Sequence, residues 1–461
     1  MGTETRGRSY VLSNLASSQI AKNVGPSPYA QVALLLVVAL VLGAHFMRDG
    51  ELGLALSCVA ALGLLALKRR WVKIVLRVGL LAGAALWLLT TVELVRARLA
   101  FDEPWLRLAL ILGAVTAVTA LSSLVFRTRA MRARLEAGAE TARASAGAFL
   151  LTATLLGVVQ IVVERPMLLA ERFWPSGGWL EVLALSTWAA WLTEKLLDAK
   201  TQPTWRRRLW GLFSIVFFAQ LAFGLLGAEH LLMTGTLHLP VPAVILAGPI
   251  YRGGGFFMVV LFLSTLLFVG PAWCSYLCYF GAMDSAMAHR RRRPVALPRW
   301  VRRARLAILI AVATTAAILR LVGASGAVAA GAGLAFGVAG LALIAQRSRQ
   351  LGVMVHCTVY CPIGLIANML GKVSPFRVRI GDGCTECGLC AKACRFDALH
   401  AEDIARRRPG LTCSLCGDCL GSCKDGQLGY RFLSLDPRRS RALFMALVAA
   451  LHAVFLGVAR I

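Results

Sequence analysis

Residues 384–394 read CTECGLCAKAC, and residues 413–423 read CSLCGDCLGSC. Both stretches have the spacing C-x2-C-x2-C-x3-C, the pattern of thiolate ligands for two [4Fe-4S] clusters in which the fourth cysteine of each run ligates the other cluster. Structural zinc favours separated C-x2-C pairs and disulfide frameworks belong to small secreted domains, so neither predicts two identical four-cysteine runs. The spacing predicts two ligand sets: Cys384, Cys387, Cys390 and Cys423 for one cluster, and Cys413, Cys416, Cys419 and Cys394 for the other.

The residue after the fourth cysteine departs from this motif. Pro usually stands there, whereas this chain has Arg395 and Lys424. Because that Pro shapes the turn and is not a ligand, cluster binding is expected to survive while the local backbone changes. Both replacements are cationic, and positive charge beside an anionic cluster favours its reduced form.

The composition predicts a polytopic membrane protein. Of 461 residues, 58% are hydrophobic and 16% are charged, and the mean hydropathy is +0.69. Such values exceed those of soluble proteins of this size. The formal charge of +27 does not indicate nucleic acid as a partner, because most Lys and Arg lie in short loops between apolar segments, where they set membrane orientation. The first 25 residues are polar, so no cleavable signal peptide is expected.

Apolar segments of membrane-crossing length predict about eleven transmembrane helices. The expected fold class is an all-α polytopic membrane protein with a small α+β domain of the bacterial 2[4Fe-4S] ferredoxin type. The predicted spans are 28–47, 52–67, 74–94, 105–126, 146–163, 179–197, 209–227, 256–273, 306–322, 327–345 and 442–459.

Basic residues alternate between the predicted loops, which orients the chain in a bacterial inner membrane. The alternation places the N-terminus and the ferredoxin domain in the cytoplasm and the C-terminus outside. The predicted domains are a cytoplasmic tail at 1–27, a four-helix membrane region at 28–135, a six-helix membrane core at 146–350, a cytoplasmic cluster domain at 351–436 and a final transmembrane helix at 437–461.

A second cysteine pattern occurs twice. Residues 273–284 read WCSYLCYFGAMD and residues 356–367 read HCTVYCPIGLIA. In a helix, a C-x3-C spacing puts both sulfurs on one face, and the topology brings both pairs to the cytoplasmic membrane surface. Three interpretations remain: a metal or third iron–sulfur site, a redox-active dithiol pair, or packing cysteines without a ligand. The residues concerned are Cys274, Cys278, Cys357 and Cys361.

These motifs together give the chain a family resemblance. C-x3-C and C-x3-C-P motifs at membrane helix ends, followed by a two-cluster ferredoxin region, resemble the NapH/NosR-type membrane polyferredoxins, a family of quinol dehydrogenase membrane components. The cytochrome oxidase assembly ferredoxins, with proposed cupric reductase activity, share this pattern. The resemblance covers about residues 206–430. The chain differs in having Tyr279 where the first motif would have Pro, in its additional N-terminal spans, and in lacking a periplasmic flavin-binding domain.

The segment 228–255 is too apolar for an ordinary loop and is broken by prolines, which is typical of a re-entrant or interfacial segment. Its polar side chains either bind a quinone and accept quinol protons or form a solvated structural cap. They are Glu229, His230, His238, Tyr251 and Arg252.

The expected function is electron transfer between the quinone pool and a redox partner protein through two [4Fe-4S] clusters. No P-loop or dinucleotide fingerprint occurs, which argues against ATP-driven transport and against NAD as a direct partner. The alternatives are an assembly factor that binds and reduces copper with its C-x3-C pairs and a membrane redox sensor. Expected cofactors and partners are the two clusters, a third metal or cluster, quinone, membrane lipid and the redox partner, without nucleic acid.

Overall fold

The structure is a computed structural model that describes residues 28–231, 239–298 and 300–458, with no account of the side chains at 28, 229 and 302. The chain forms two compact units that divide between Ala139 and Glu140. The predicted regions 28–135 and 146–350 lie on either side of this division.

The described part of the first unit consists of helices joined by short turns. Helix α5 begins where the Thr128 side chain accepts a hydrogen bond from the Met131 amide, and the Thr128 hydroxyl also donates to Gln31. Trp71, Val72 and Phe126 are buried in the core of this unit. Its helices are α1 (Pro28–Arg48), α2 (Leu52–Ala60, continued by a 3-10 turn at Ala61–Leu67), α3 (Arg70–Ala100), α4 (Leu106–Ser122) and α5 (Arg129–Arg134).

The second unit contains the remaining helices and a two-stranded sheet. Three of its helices, α6 (Ala142–Val162), α8 (Gly178–Leu197) and α19 (Pro437–Val458), pack on one another as a bundle. The other helices are α7 (Leu169–Phe173), α9 (Gln202–Leu225), α10 (Val244–Arg252), α11 (Phe257–Val269), α12 (Tyr279–Ala288), α13 (Val301–Leu321), α14 (Gly326–Leu343), α15 (Arg349–Leu351), α16 (Pro362–Leu370), α17 (Leu389–Ala393) and α18 (Ala401–Ala405).

Within the described residues, nine helices are long and apolar enough to cross a membrane. Large apolar side chains such as Leu89 and Ile215 lie exposed along them, as expected for surfaces that face lipid. The nine are Tyr29–Arg48, Arg70–Ala100, Leu106–Arg127, Ala142–Val162, Gln202–Leu225, Phe257–Leu277, Arg303–Leu321, Gly326–Leu351 and Pro437–Val458.

The other two predicted spans are present as helices but differ from these nine. The segment Leu52–Leu67 is shorter, and Gly178–Leu197 contains Glu181, Glu194 and Lys195. The chain is thus mostly helical, with many helices that are consistent with a membrane protein, and the count of eleven stays a prediction.

The sheet frames the two cysteine runs. Strand β1 (Phe376–Ile380) ends shortly before Cys384, and β2 (Leu428–Phe432) begins shortly after Cys423. The strands are antiparallel, with Val378 opposite Tyr430. The alternating residues Phe376, Val378 and Ile380 are buried, as the two-residue period of a strand requires when one face is covered.

One hydrophobic core continues from the sheet into the membrane helices. Tyr430 of β2 stacks on Phe444 of α19, with ring centroids 4.6 Å apart. The same core includes Trp210 and Leu266 from the long apolar helices. The cysteine-rich region, predicted as a separate domain at 351–436, therefore folds as part of the second unit and is held against the helix ends.

Loops predicted on the same side of the membrane contact one another. The Arg172 guanidinium donates to the His230 carbonyl, and the Tyr251 hydroxyl donates to the Ala324 carbonyl, both joining segments predicted outside. At the opposite end, the Leu297 amide donates to Asp397 of the cysteine-rich region. These contacts agree with the alternation of the loops, while the compartment that each face borders stays a prediction.

Candidate functional site

Two cavities of the second unit are lined by the eight cysteines of the C-x2-C-x2-C-x3-C runs. Apolar side chains complete both walls, Ile380 and Leu428 in the first cavity and Val378 and Phe396 in the second. Each cavity contains about 360 Å³ of unfilled space, part of it open to solvent. The cysteines fall into two sets of four: Cys384, Cys387, Cys390 and Cys423 in the first cavity, and Cys394, Cys413, Cys416 and Cys419 in the second.

This grouping is the one that the crossed ligand pattern implies, because each run contributes its fourth cysteine to the other set. The strands and short helices around the runs bring residues far apart in sequence into each cavity. Ligation of iron by these two sets stays a prediction, and the backbone shows whether a cluster fits.

The backbone of the two runs has the same unusual conformation at matching positions. Glu386 and Gly388 have φ angles of 56° and 69°, and Leu415 and Gly417 have φ angles of 56° and 82°. Left-handed residues in such turns direct successive N–H groups to one point, and these concave nests bind anions, including many iron–sulfur clusters. The two runs are therefore shaped for anionic groups.

Two further amides point at cysteine sulfurs. The Ala398 amide donates to Cys394 Sγ at 3.4 Å, and the Gln427 amide donates to Cys423 Sγ at 3.3 Å. Each donor lies four residues after the fourth cysteine of its run. Hydrogen bonds to sulfur favour the thiolate form that ligates iron, so the residues of both cavities fit a [4Fe-4S] cluster.

The two cavities differ in exposure. Cys387 of the first is exposed, whereas the four cysteines of the second are buried or half-buried. Burial raises the pKa of Cys413 and Cys416 to about 12, so these thiols ionise near neutral pH only beside a compensating cationic centre. The exposed Cys387 therefore puts one predicted ligand of the first cavity at the protein surface.

The loop of the second cavity is fixed to the membrane helices by buried polar contacts. Arg206 of α9 is fully buried, and its Nε donates to Asp418 Oδ1 at 2.8 Å while its Nη1 donates to the Ser275 carbonyl at 3.0 Å. The Tyr276 hydroxyl donates to the Cys416 carbonyl at 2.8 Å. Because Ser275 and Tyr276 stand between Cys274 and Cys278, the first C-x3-C motif touches the second cavity directly.

Arg395 makes the corresponding contact to the second C-x3-C motif. Its guanidinium is buried and donates to the carbonyls of Gly352 and Arg292, at 2.8 and 3.0 Å, and its own carbonyl accepts from the Met354 amide. The residue that replaces the usual Pro thus joins Cys394 to the chain just before Cys357. Lys424, at the matching position of the other run, is exposed.

The two C-x3-C motifs have one local conformation. Trp273–Leu277 and His356–Tyr360 each form a five-residue π-helical turn. Cys278 and Cys361 follow in extended conformation, with φ and ψ of −81° and 118°, and −75° and 118°. Each is the N-cap of a helix, α12 or α16, and its sulfur accepts hydrogen bonds from backbone amides of that helix.

The four thiols of these motifs converge. Cys274 and Cys357 are buried, and Cys357 interacts electrostatically with the other three thiols. The two cysteine pairs therefore lie close together in the structure, while what they bind stays a prediction. Among the described residues, no group of three or more His, Cys, Asp or Glu side chains is placed to hold a single metal ion. A cubane, in contrast, spreads its four sulfur ligands over four iron atoms.

Two buried residues beside these thiols were not singled out in the sequence. The Asp284 carboxylate accepts the Cys357 amide through Oδ2 at 2.9 Å, and its Oδ1 has no hydrogen-bond partner in the described part of the chain. Burial raises the pKa of Asp284 to about 6. His356 is 3% exposed and packs on Phe280. Asp284 is the last residue of the stretch 273–284, so its position close to the first C-x3-C motif was the sequence feature that could have identified it.

The described residues proposed to bind quinone make separate contacts. The His230 ring lies 5.8 Å from that of Phe173, and the Tyr251 hydroxyl donates to Ala324 at 2.7 Å. The Arg252 side chain packs over Gly248 and Gly255. His238 lies outside the described residues, and the side chain of Glu229 is not described. Quinone binding by this set stays a prediction.

Known proteins offer limited comparison. No solved structure matches the chain. The uncharacterized protein MJ0750 of Methanocaldococcus jannaschii is 24% identical over 79 residues, which are 17% of this chain and 32% of that protein. The match therefore spans about a third of the length of the curated relative.

A sequence model of the family described as "4Fe-4S binding domain" matches residues 251–298 and 351–381. The first segment contains Cys274 and Cys278, the second contains Cys357 and Cys361, and both end before Cys384. The match thus falls on the C-x3-C motifs rather than on the ferredoxin runs. It supports an iron–sulfur, ferredoxin-like protein with at least one iron–sulfur cluster.

Proposed function

We propose that the chain is a membrane-bound electron-transfer protein that passes single electrons between the quinone pool and a redox partner protein through two [4Fe-4S] clusters. The grouping of eight cysteines into two sets of four, each in a cavity whose turns contain two left-handed residues, carries this proposal. Bound cubanes exchange single electrons without rearranging bonds. The proposal agrees with the resemblance to NapH/NosR-type polyferredoxins and gives the chain a role like that of a quinol dehydrogenase component.

The chain's own residues hold the cysteine sets in fixed positions. Arg206 and Tyr276 hold the second cavity against the membrane helices, and its Cys419 is buried. Fixed ligands and a dry wall set the potential of a cluster. The exposed Cys387 leaves the first cavity open to a redox partner protein.

The quinone side of the proposal concerns Glu229, His230, His238, Tyr251 and Arg252, polar groups at a predicted lipid boundary. Imidazole and carboxylate groups accept protons, and Tyr and Arg donate hydrogen bonds to a quinone carbonyl. Reduction of the clusters by quinol is expected to be lost when both His230 and His238 are removed. The inferred position is the outer face of the membrane.

The quinone proposal is tested on full-length protein in detergent. A menaquinol analogue is added anaerobically and cluster reduction is followed by absorbance. Fast reduction is expected, with loss in the double variant His230→Ala, His238→Ala and retention in the control His400→Ala, which removes a histidine from the cysteine-rich region. Full retention in the double variant contradicts the quinone site. Inertness to quinol, with fast reduction by a soluble ferredoxin or flavodoxin, reverses the proposed direction.

The convergence of four thiols favours one second candidate, the reduction of copper for the assembly of another enzyme. Copper-dependent oxidation of the reduced clusters is expected in that case. The variant Cys357→Ala, Cys361→Ala abolishes it if the pairs handle copper, and an unchanged oxidation rate rejects this candidate.

We also propose that the protein lies in a bacterial inner membrane with its cysteine-rich region in the cytoplasm. The alternation of basic loops supports this orientation. A fluorescent protein that fluoresces only in the cytoplasm is expected to do so when it is fused before Met1. A phosphatase that is active only outside the cytoplasm is expected to be active when it is fused after Ile461. The reverse pattern contradicts the orientation.

A further inference from the structure

The match to a 4Fe-4S binding domain falls on the segments that hold Cys274, Cys278, Cys357 and Cys361, and we propose that Arg305 is the buried counter-cation of a negatively charged iron–sulfur cluster held by these four thiolates. This site is separate from the two cubanes and from the quinone in the function proposed above. Three observations carry it: the convergence of the thiols, the helix ends that face them, and an arginine whose Nη2 has no hydrogen-bond partner in the described part of the chain.

The first observation is the doubled motif. Cys278 and Cys361 cap α12 and α16, helices of ten and nine residues, and their sulfurs accept amides of the first helical turn. Helix N-termini carry partial positive charge and stabilise thiolates. Two such helix ends meet at one group of thiols. Four neutral cysteines could pack together without two helix N-termini directed at them.

The second observation is the close approach of the backbone in each motif. Gly281 and Gly364 stand at matching positions, and a Cβ added to them would lie 2.8 Å from the Cys274 carbonyl and 2.5 Å from the Cys357 carbonyl. Glycine lets each helix turn back onto the π-helical turn that holds the first cysteine. The repeat thus brings both cysteines of each pair to one side of the turn.

The third observation is the guanidinium of Arg305. Arg305 is 5% exposed, and its Nη2 has no hydrogen-bond partner among the described residues. Arg305 interacts electrostatically with Cys274, and its helix α13 packs on α16 and on the turn that holds Cys357. A buried unpaired cation is strongly unfavourable, and a cation in the first turns of a helix also opposes the helix dipole.

An anionic occupant resolves this conflict. Four cysteine thiols or two disulfides are neutral and leave Arg305 unpaired, whereas an iron–sulfur cluster with four thiolates is an anion. The nearby carboxylate of Asp284 already accepts the Cys357 amide. Arg303, on the same helix, is exposed and provides a matched comparison.

The composition of the site is tested on anaerobically purified full-length protein. Iron and acid-labile sulfide are expected at about twelve each per chain for three four-iron clusters, and at about eight in the variant Cys274→Ala, Cys361→Ala. Wild-type protein with about eight iron that the variant leaves unchanged overturns the proposal. Copper or zinc that is lost with these cysteines, in place of iron, also overturns it.

The role of Arg305 is tested with the cysteines intact, so this test does not depend on folding of the cysteine variant. Arg305→Gln is expected to shift the reduction potential of the third cluster, read by redox titration of its paramagnetic signal, to more negative values. Arg305→Lys, which keeps the positive charge, is expected to have a potential close to that of wild type. Arg303→Gln is expected to cause no shift. Equal potentials in Arg305→Gln and wild type contradict the counter-cation.

The signals of the two ferredoxin cubanes serve as an internal control. Their retention in the Cys274→Ala, Cys361→Ala variant, with loss of only the third signal, supports the proposal. Their absence from wild-type protein counts against the function proposed above, so the two failures are distinguished.

Discussion

Arginine illustrates what local sequence does and does not reveal. The sequence assigns most Lys and Arg residues to short loops that orient the membrane helices, yet Arg206 and Arg305 are buried in the structure. Arg206 pairs with Asp418, which lies 212 residues away. Ligand cysteines are recognisable because their spacing is local, whereas a buried ion pair depends on contacts between distant segments.

Removing the charge of the Arg206 side chain tests whether its ion pair with Asp418 stabilises the fold. Arg206→Gln leaves Asp418 buried without its cation, and breaking such a pair costs about 3–5 kcal/mol. The free energy of unfolding in detergent, followed by denaturant titration, is expected to fall by that amount. The neighbouring exposed Arg207→Gln is expected to change it by at most about 0.5 kcal/mol. Equal stability of both variants would show that the pair is not structural.

Arg395 makes contacts that the sequence did not predict, and its effect on cluster reduction stays a prediction, since it also interacts electrostatically with Cys394. From the sequence, its charge was expected to favour the reduced form of a nearby cluster. The structure shows the guanidinium bound to the carbonyls of Gly352 and Arg292, so its contacts join the cysteine-rich region to the membrane edge. The missing Pro is thereby explained, because the position carries a side-chain contact that Pro does not make.

At the scale of elements, the C-x3-C repeat was predicted from the sequence and its conformation was not. A continuous helix would place both sulfurs of a pair on one face. The structure instead ends a π-helical turn at Cys278 and at Cys361 and starts a new helix there. Spacing alone does not distinguish these geometries, because π-turns arise from tertiary packing.

Gly364→Ala tests the repeated turn. The added Cβ would lie 2.5 Å from the Cys357 carbonyl, and overpacking of this kind costs about 1–3 kcal/mol. We expect lower stability and less iron per chain, measured on the purified variant by denaturant titration and metal analysis. The control Gly211→Ala has open space around its Cβ in helix α9 and is expected to be neutral or stabilising. Unchanged iron and stability in Gly364→Ala would contradict the tight turn.

At the scale of the whole molecule, composition predicted a helical membrane protein and cysteine spacing predicted an iron–sulfur protein, and both coarse statements are supported. The segments 52–67 and 179–197 show the limit of hydropathy, because one ends as a 3-10 turn and the other carries three charged residues. The sequence also separated a cluster domain from the membrane core. That division stays a prediction. The core shared by Tyr430, Phe444 and Trp210 joins the strands to the long helices through contacts between distant segments, which the composition of the chain does not reveal.

The central claim is that eight cysteines hold two four-iron clusters on a membrane-embedded scaffold. Iron, acid-labile sulfide and the paramagnetic resonance of the dithionite-reduced protein, measured together on one anaerobic full-length sample, test it most directly. The account predicts a brown protein with at least about eight iron and eight sulfide per chain and the signal of reduced [4Fe-4S] clusters. A colourless protein that contains zinc, lacks sulfide and shows no such signal would contradict it.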